Sequence, residues 1–200
     1  MKLTCDYFDG VIEIEEGIPF VLVLEKPELF LKFVKDIYMQ TTGKDGEIVF
    51  SENGILIKPS KKVELISTFV PFDINEKRLL NKLNGLIEKE ALNEDNYERT
   101  MKLMAEIERF VDDVAGFFGF SLNYTGVSVN SLLKMCGAEI EDDSNSEIER
   151  VLNYMSIVCD LLGEKLFVFV NMRTFFSEQE MNEFTKMVAL RKYYVLQLEN

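Results

Sequence analysis

The sequence contains no histidine and no tryptophan among its 200 residues. Histidine is the commonest metal ligand and the usual general base near neutral pH. Its absence excludes Ser-His-Asp and Cys-His catalysis and also the HExxH zinc site. The absence of histidine therefore excludes these three common arrangements of hydrolase active sites.

Cysteine and long apolar runs are also scarce. The three cysteines, Cys5, Cys136 and Cys159, are odd in number and widely spaced, which predicts reduced, packed thiols. No apolar run approaches the roughly 18 residues of a membrane span, and residues 1–6 show no apolar signal region. We therefore expect a cytoplasmic protein with no membrane partner.

Positive charge is in deficit, with 22 Lys and Arg against 35 Asp and Glu and a net charge of −13. Taken alone, this balance argues against a nucleic-acid partner, because phosphate binding draws its affinity from basic side chains. Basic residues do cluster locally, but most have acidic neighbours at helical spacing. The spacing alone favours a salt-bridged surface over an anion-binding track.

A phosphate-binding loop is missing as well. The sequence has no GxxxxGK[ST] motif, and Gly43-Lys44 is followed by Asp45, which would repel phosphate. Gly116 and Gly119 close an amphipathic helix and do not follow a strand. We therefore expect no nucleotide ligand.

The first 75 residues are predicted to be rich in strands. Asp9-Gly10 and Asn53-Gly54 are two-residue hairpin turns, and Pro27 opens a helix over about 27–39. The apolar run from Phe20 to Leu24 is typical of a strand covered on both faces. A further strand is expected over residues 63–70.

From residue 73 the apolar period becomes helical. We predict capping boxes at Asp73–Glu76, at Ser146 with Glu149, and at Ser177 with Glu180. Between them lie a long helix over about 97–118 and a short helix over about 128–136 that ends at Gly137. A buried strand over 165–170, the helix after Ser177 and a strand over 193–198 form a right-handed, parallel βαβ unit.

These elements predict an α/β fold built from both ends of the chain. The sheet domain comprises residues 1–75 and 146–200, and a helical domain, residues 76–145, is inserted between them. Composition and pattern go no further than this architecture.

Several segments occur together in one order: Phe72-Asp73-Ile74-Asn75, Leu132-Leu133-Lys134 with Gly137 and Ile140-Glu141, Glu149-Arg150, residues 165–171, Phe176-Ser177-x-x-Glu180 and residues 195–199. As an ordered set they resemble the small spacer-acquisition ring proteins of type II-A CRISPR loci. The similarity covers most of the chain and is strongest over residues 128–199.

The resemblance implies a degenerate P-loop-like head domain and a helical leg domain that assemble as a ring-shaped homotetramer. It implies that linear double-stranded DNA passes through a lysine-lined channel without sequence readout. It further implies no catalysis, and joint action with the CRISPR adaptation integrase and effector nuclease during spacer acquisition in antiviral defence.

The same resemblance gives the candidate DNA contacts. Basic side chains at Lys134 and Arg150 match the family pattern and are the first candidates for phosphate contacts. Lys61, Lys62, Arg78 and Lys82 are further candidates, which rest on local clustering alone.

Calcium is the cofactor that the resemblance implies, held by acidic residues around the segment after the long helix. Here that segment, residues 119–127, carries no carboxylate, whereas a hard cation needs several oxygen ligands. Glu108, Asp112, Asp142 and Asp143 are the candidates for a substitute site.

Two other functions stay open at this point. The acidic surface is compatible with a protein-interaction adaptor that does not touch DNA. The acidic clusters are compatible with a metal-dependent nuclease, although the missing histidine and P-loop residues argue against an enzyme.

Overall fold

A computed structural model describes residues 1–8, 10–70, 72–119, 122–123 and 126–200. They form two compact units. The sheet unit comprises Met1–Ile74 and Asp142–Asn200, and the helical unit comprises Asn75–Glu141. The functional assignment of residues 1–75 and 146–200 as a head domain, and of 76–145 as a leg domain, stays a prediction.

The elements follow one another along the chain with short connections. The strands are β1 (Lys2–Thr4), β2 (Ile12–Glu13), β3 (Phe20–Val23), β4 (Val49–Glu52), β5 (Ile55–Leu56), β6 (Val63–Ile66), β7 (Leu166–Val170) and β8 (Tyr194–Glu199). The helices are α1 (Pro27–Thr41), α2 (Pro59–Lys62), α3 (Lys77–Ala91), α4 (Tyr97–Gly116), α5 (Val129–Cys136), α6 (Glu147–Leu162) and α7 (Glu178–Arg191), with a 3-10 turn at Met172–Thr174. The mixed α/β fold predicted from the sequence is confirmed.

The main sheet is parallel, with the strand order β3-β8-β7-β6. Val168 of β7 lies opposite Leu196 of β8, which confirms the predicted parallel βαβ unit. Every residue of β7 is buried because helices cover both faces of the sheet. Phe33 and Ile37 of α1 belong to the core on one face, and Phe184 of α7 packs edge-on against Phe169 on the other.

β3 corrects one expectation. The sequence predicted a strand covered on both faces, but among the described residues β3 is the edge strand, next to β8. Val21 and Val23, on one face of β3, are exposed by 38% and 58%. An apolar run does not distinguish an edge strand with one uncovered face from a central strand.

The first 60 residues also form a small antiparallel sheet, with the order β2-β1-β4-β5. Asn53 and Gly54 both have positive φ angles, 51° and 78°, and join β4 to β5 in the predicted two-residue turn. β1 ends at Thr4, and β2, which pairs with it in the antiparallel direction, begins at Ile12, so the Asp9-Gly10 turn predicted between them stays a prediction. Asp9 and Pro71 lie outside the described residues.

The helical unit contains α3, α4 and α5. The capping box predicted at Asp73–Glu76 makes Asp73 the N-cap residue, whereas the N-cap residue of α3 is Glu76, whose side chain makes no capping hydrogen bond. Asn75 is used differently: its Nδ2 donates to the carbonyl of Ile140 at 3.0 Å, and its Oδ1 accepts the Ile140 N–H at 2.7 Å. This pair of bonds fixes the segment after α5 against the start of α3.

The remaining helix ends largely follow the sequence prediction. Ser177 and Glu180 form a complete capping box at α7. At α6 only half of the predicted box is present, because Ser146 accepts the Glu149 N–H while the Glu149 carboxylate accepts the N–H of Asn145 instead. α5 ends at Gly137 in the left-handed conformation, as predicted. Cys136 just before it is exposed, so the packed-thiol prediction is wrong for this residue.

Among the helices of the described residues, none combines the length and apolar character that crossing a membrane requires.

Candidate nucleic-acid interface

Lys134 lies in the last turn of α5 and is exposed. The helix is short but well defined at both ends, with Ser128 Oγ accepting the Ser131 N–H at 3.1 Å and Gly137 terminating it. Within the described part of the chain, no carboxylate lies within ion-pair distance of the Lys134 ammonium. Lys134 therefore presents an uncompensated positive charge to solvent.

Arg150 has a different environment, although the sequence pattern treats it as equivalent to Lys134. Its Nε donates to Asp142 Oδ2 at 2.6 Å, and its Nη1 donates to the Glu147 carboxylate at 2.7 and 2.8 Å. The Asp142 hydrogen bond, followed by that of Glu147, raises the pKa of the guanidinium above its ordinary value. Two carboxylates thus neutralise the charge that a phosphate would use.

Lys61 and Lys62 lie on the single-turn helix α2, which the sequence analysis missed. Lys62 is partly compensated, with its ammonium 3.4 Å from Glu52 and 3.6 Å from Glu164. The Lys61 side chain is exposed, and its backbone carbonyl accepts a hydrogen bond from the buried ammonium of Lys165. Within the described ranges, Lys61 has no carboxylate at ion-pair distance, whereas Lys62 has two.

Arg78 and Lys82 are one turn apart on α3. Arg78 Nη2 lies 3.3 Å from Glu76, whereas Lys82 is exposed on the following turn. α3 carries four basic and two acidic side chains, with no acid in its first turn. Among the candidate residues, Arg78, Lys82 and Lys134 belong to the helical unit, and Lys61, Lys62 and Arg150 belong to the sheet unit.

The structure adds residues that sequence reasoning missed. A groove of about 350 Å³ lies between α3 and α5, and it is lined by Lys77, Asn81 and Asn84 of α3 and by Lys134 of α5. Their spacing of four and three residues places them on one helical face, and this signal was present in the sequence. What the sequence did not contain was the packing of α5 along that face.

Two of the candidate calcium ligands make hydrogen bonds of their own. Glu108 accepts the N–H of Val127 at 3.2 Å, and Asp142 is held by Ser144 and Arg150. Within the ranges that the structure describes, no group of three or more His, Cys, Asp or Glu side chains is placed to hold a metal ion. Calcium binding by Glu108, Asp112, Asp142 and Asp143, which would need several oxygen ligands around one cation, stays a prediction.

The connection from β3 to α1 joins a strand of the parallel sheet to a helix, which is the local context that a P-loop requires. Here it reads Leu24-Glu25-Lys26 and leads into Pro27, without a glycine. Glycine-rich backbone is what lets the amides surround a phosphate. The fold and this connection define a class: an α/β protein with a parallel sheet, no glycine-rich phosphate loop at this connection, and an inserted helical unit.

Sequence comparison places the chain within that class. The model of the family described as "CRISPR-associated protein (Cas_Csn2)" matches residues 40–200, and the chain belongs to this family. It is 25% identical to the CRISPR-associated protein Csn2 of Enterococcus faecalis over 206 aligned positions, covering 100% of this chain and 90% of that protein. It is 23% identical to Csn2 of Streptococcus agalactiae, covering 90% and 80%.

A solved structure shares the fold. The chain resembles the structure described as "Crystal structure of Stu0660 of Streptococcus thermophilus" with a TM-score of 0.60 and 16% identity. The similarity covers 100% of this chain and 69% of that chain. The family resemblance inferred from the ordered sequence segments is confirmed by the family model and the two Csn2 relatives.

Proposed function

We propose that this protein binds linear double-stranded DNA without sequence readout, as a non-catalytic, ring-forming subunit of CRISPR spacer acquisition. The observation that carries the proposal is the family match over residues 40–200. In this function the subunit acts with the adaptation integrase and the effector nuclease in antiviral defence.

The charge distribution supports DNA binding despite the net charge of −13. Lys82 and Lys134 of the helical unit are exposed and have no carboxylate partner among the described residues. A ring gathers such side chains from several copies around one channel, so that a few lysines per chain produce a locally positive surface. Binding of this kind weakens steeply with salt, because it depends on counterion release.

Exposed apolar side chains support self-association. No residue of α4 is buried, and Phe110 and Phe117 are 68% and 89% exposed. Apolar surface of this extent on a helix is typical of protein–protein contacts. We assign this face of α4 to contacts between copies of the chain.

The assembly is tested by light scattering. A tetramer gives four times the 23.1 kDa of the single chain. Phe110→Asp is expected to lower the mass, because it places a charge in the apolar contact. Leu190→Asp is the matched control, since Leu190 is also exposed, by 74%, but lies on α7 of the sheet unit. A monomeric wild-type chain at micromolar concentration would contradict the ring.

DNA binding is tested by a gel shift that compares linear and closed-circular duplexes of one sequence, with calcium and with a chelator. The proposal expects the linear form to be retained and the closed circle not, because a ring threads onto free ends. If neither form shifts at low salt, DNA binding fails and the acidic-adaptor alternative replaces it. Cleavage of labelled DNA with magnesium, manganese or calcium would instead establish a nuclease.

A further inference from the structure

We infer that the groove between α3 and α5 is a phosphodiester-binding site, in which Lys77 and Lys134 supply charge and the Asn81 and Asn84 amides supply hydrogen bonds. The inference rests on the proposed function and deepens it, because it assigns the contact to one groove of the helical unit. Lys77, Asn81 and Asn84 were not among the candidates from the sequence.

The composition of the groove matches a phosphate group. Its two lysines come from different helices; the amides of Asn81 and Asn84 come from α3, and that of Asn75 precedes the helix. Lysine ammonium and amide N–H groups are all donors that a phosphodiester oxygen accepts. Neither lysine has a carboxylate partner among the described residues, so neither charge is already used.

Two residues that line the groove, Asn75 and Gly137, fix its shape. The two hydrogen bonds between Asn75 and Ile140 fix the segment that follows α5 to the start of α3. Gly137, in the left-handed conformation, turns the chain away from α5 immediately after the helix. The helices on the two sides of the groove are therefore fixed relative to one another before any ligand binds, which reduces the entropic cost of binding.

The start of α3 carries two cations, Lys77 and Arg78, and one anion, the N-cap residue Glu76, which pairs with Arg78. Lys77 and Arg78 occupy its first turn, which contains no acidic residue. Cations are destabilising at a helix N-terminus, where the helix dipole is positive. A phosphate beside Lys77 would relieve this repulsion, and the groove provides the place for it.

Glu139 opposes the anion, because it lies in the same groove. It leaves a net charge of one positive unit from the two lysines and one carboxylate. The groove is consequently suited to one singly charged phosphodiester group better than to a multiply charged terminal phosphate. Amide and ammonium donors distinguish no base, in agreement with binding that ignores sequence.

The first test is the affinity of a short fluorescent linear duplex measured by anisotropy. Lys77→Glu and Lys134→Glu are each expected to weaken binding by about tenfold and to make the salt dependence shallower by about one unit of slope for each phosphate that is no longer bound. Lys102→Glu is the matched control, since Lys102 is an exposed lysine on α4 outside the groove. Equal decreases in duplex affinity in all three variants would contradict the assignment of the groove as a phosphodiester-binding site.

The second test is a gain of affinity, which misfolding does not produce. Glu139→Gln removes the opposing charge and is expected to strengthen duplex binding by about threefold. Glu141→Gln changes the net charge identically but alters no residue that lines the groove. If both glutamine variants bind alike, the effect is one of net charge and the groove assignment is wrong.

A phosphate group can come from a duplex or from a small molecule, and NMR titration separates the two. Inorganic phosphate and a mononucleotide are added to the full chain while the side-chain amide signals of Asn81 and Asn84 are followed. Shifts with these small ligands, combined with unchanged duplex affinity in Lys77→Glu, would assign the groove to a small ligand and overturn the inference.

If the wild type binds no duplex at low salt, the proposed function fails, and the assignment of the groove as a phosphodiester site fails with it. If the wild type binds duplex and neither lysine substitution changes the affinity, only the assignment of the groove is wrong.

Discussion

The buried carboxylate of Asp36 on α1 accepts the backbone N–H of Ile48, just before β4, at 3.0 Å. The same carboxylate accepts the Glu47 N–H at 2.9 Å and the hydroxyl of Tyr7 at 3.1 Å. One side chain thereby joins α1 to the antiparallel sheet. Because Glu47 and Ile48 precede β4, the carboxylate supplies the hydrogen bonds that strand pairing does not give these two amides.

Gly46 is the residue that permits this approach. A Cβ at position 46 would overlap the Asp36 carboxylate and the Gln40 side chain. We expect Gly46→Ala to lower the free energy of unfolding by about 2–3 kcal/mol, because the carboxylate must move away from its donors. The midpoint of urea unfolding, followed by circular dichroism, measures this change.

Gly85→Ala is the opposite case and serves as the control. Gly85 lies within α3, and a Cβ there would meet no atom within 4 Å. Replacement of an exposed helical glycine by alanine stabilises a helix by about 0.5–1 kcal/mol. If both variants shift the unfolding midpoint in the same direction, our account of Gly46 is incorrect.

The parts of this fold that the sequence predicted are those with local causes. The Asn53-Gly54 turn, the Ser177–Glu180 capping box and the end of α5 at Gly137 each depend on a few adjacent residues. Their residue types impose the backbone conformation regardless of what packs against them. Such features can be predicted from the sequence without knowledge of the tertiary structure.

Features that depend on residues distant in the chain could not be predicted from the sequence. Asn75 lies within the segment predicted as a capping box, and no local pattern predicts its two hydrogen bonds to Ile140, 65 residues later. Arg150 matched a family position for DNA contact, yet the loop that precedes α6 carries Asp142 to its guanidinium. In both cases the side chain forms the kind of hydrogen bond expected of it, but its partner is a residue that only the tertiary structure brings close.

The neutralisation of Arg150 leads to a prediction about DNA affinity. Lys134→Gln is expected to weaken duplex binding and reduce the salt dependence by about one unit. Arg150→Gln is expected to have a smaller effect, because Asp142 and Glu147 already occupy the guanidinium. Anisotropy titrations of both variants at two salt concentrations measure the difference.

Release of Arg150 provides the converse experiment. Asp142→Asn combined with Glu147→Gln frees the guanidinium and should increase duplex affinity only while Arg150 is present. The same pair of substitutions in an Arg150→Gln background controls for the change in net charge. A weaker duplex affinity in Arg150→Gln than in Lys134→Gln would contradict our interpretation of the ion pairs.

The hydrogen bonds of Asp142 lead to a prediction about how the free energy of unfolding depends on pH. Hydrogen bonds from Ser144, and then from Arg150, lower the pKa of its carboxyl group. A group whose pKa is lower in the folded state stabilises that state above the unfolded pKa, about 4 for aspartate, and ceases to contribute as pH falls through the folded value. Stability should therefore decline below about pH 4, and Asp142→Asn should reduce that decline.

Urea midpoints at two acidic pH values test this expectation. Asp143→Asn is the control, because Asp143 is the exposed neighbour and accepts no hydrogen bond within the described chain. An identical decline in the wild type and in Asp142→Asn would show that other carboxylates account for the acid sensitivity.

The three cysteines differ in their surroundings, which predicts how fast each thiol reacts. Cys136 is exposed at the end of α5, whereas Cys5 and Cys159 are half-buried. Burial raises the pKa of both half-buried thiols, so that less of each is the reactive thiolate near neutral pH. A thiol reagent that reports by absorbance should show one fast and two slow reactions. Cys136→Ser should remove the fast phase, and denaturant should make the remaining thiols react together; a fast phase that survives in Cys136→Ser would mean that Cys5 or Cys159 is open to solvent.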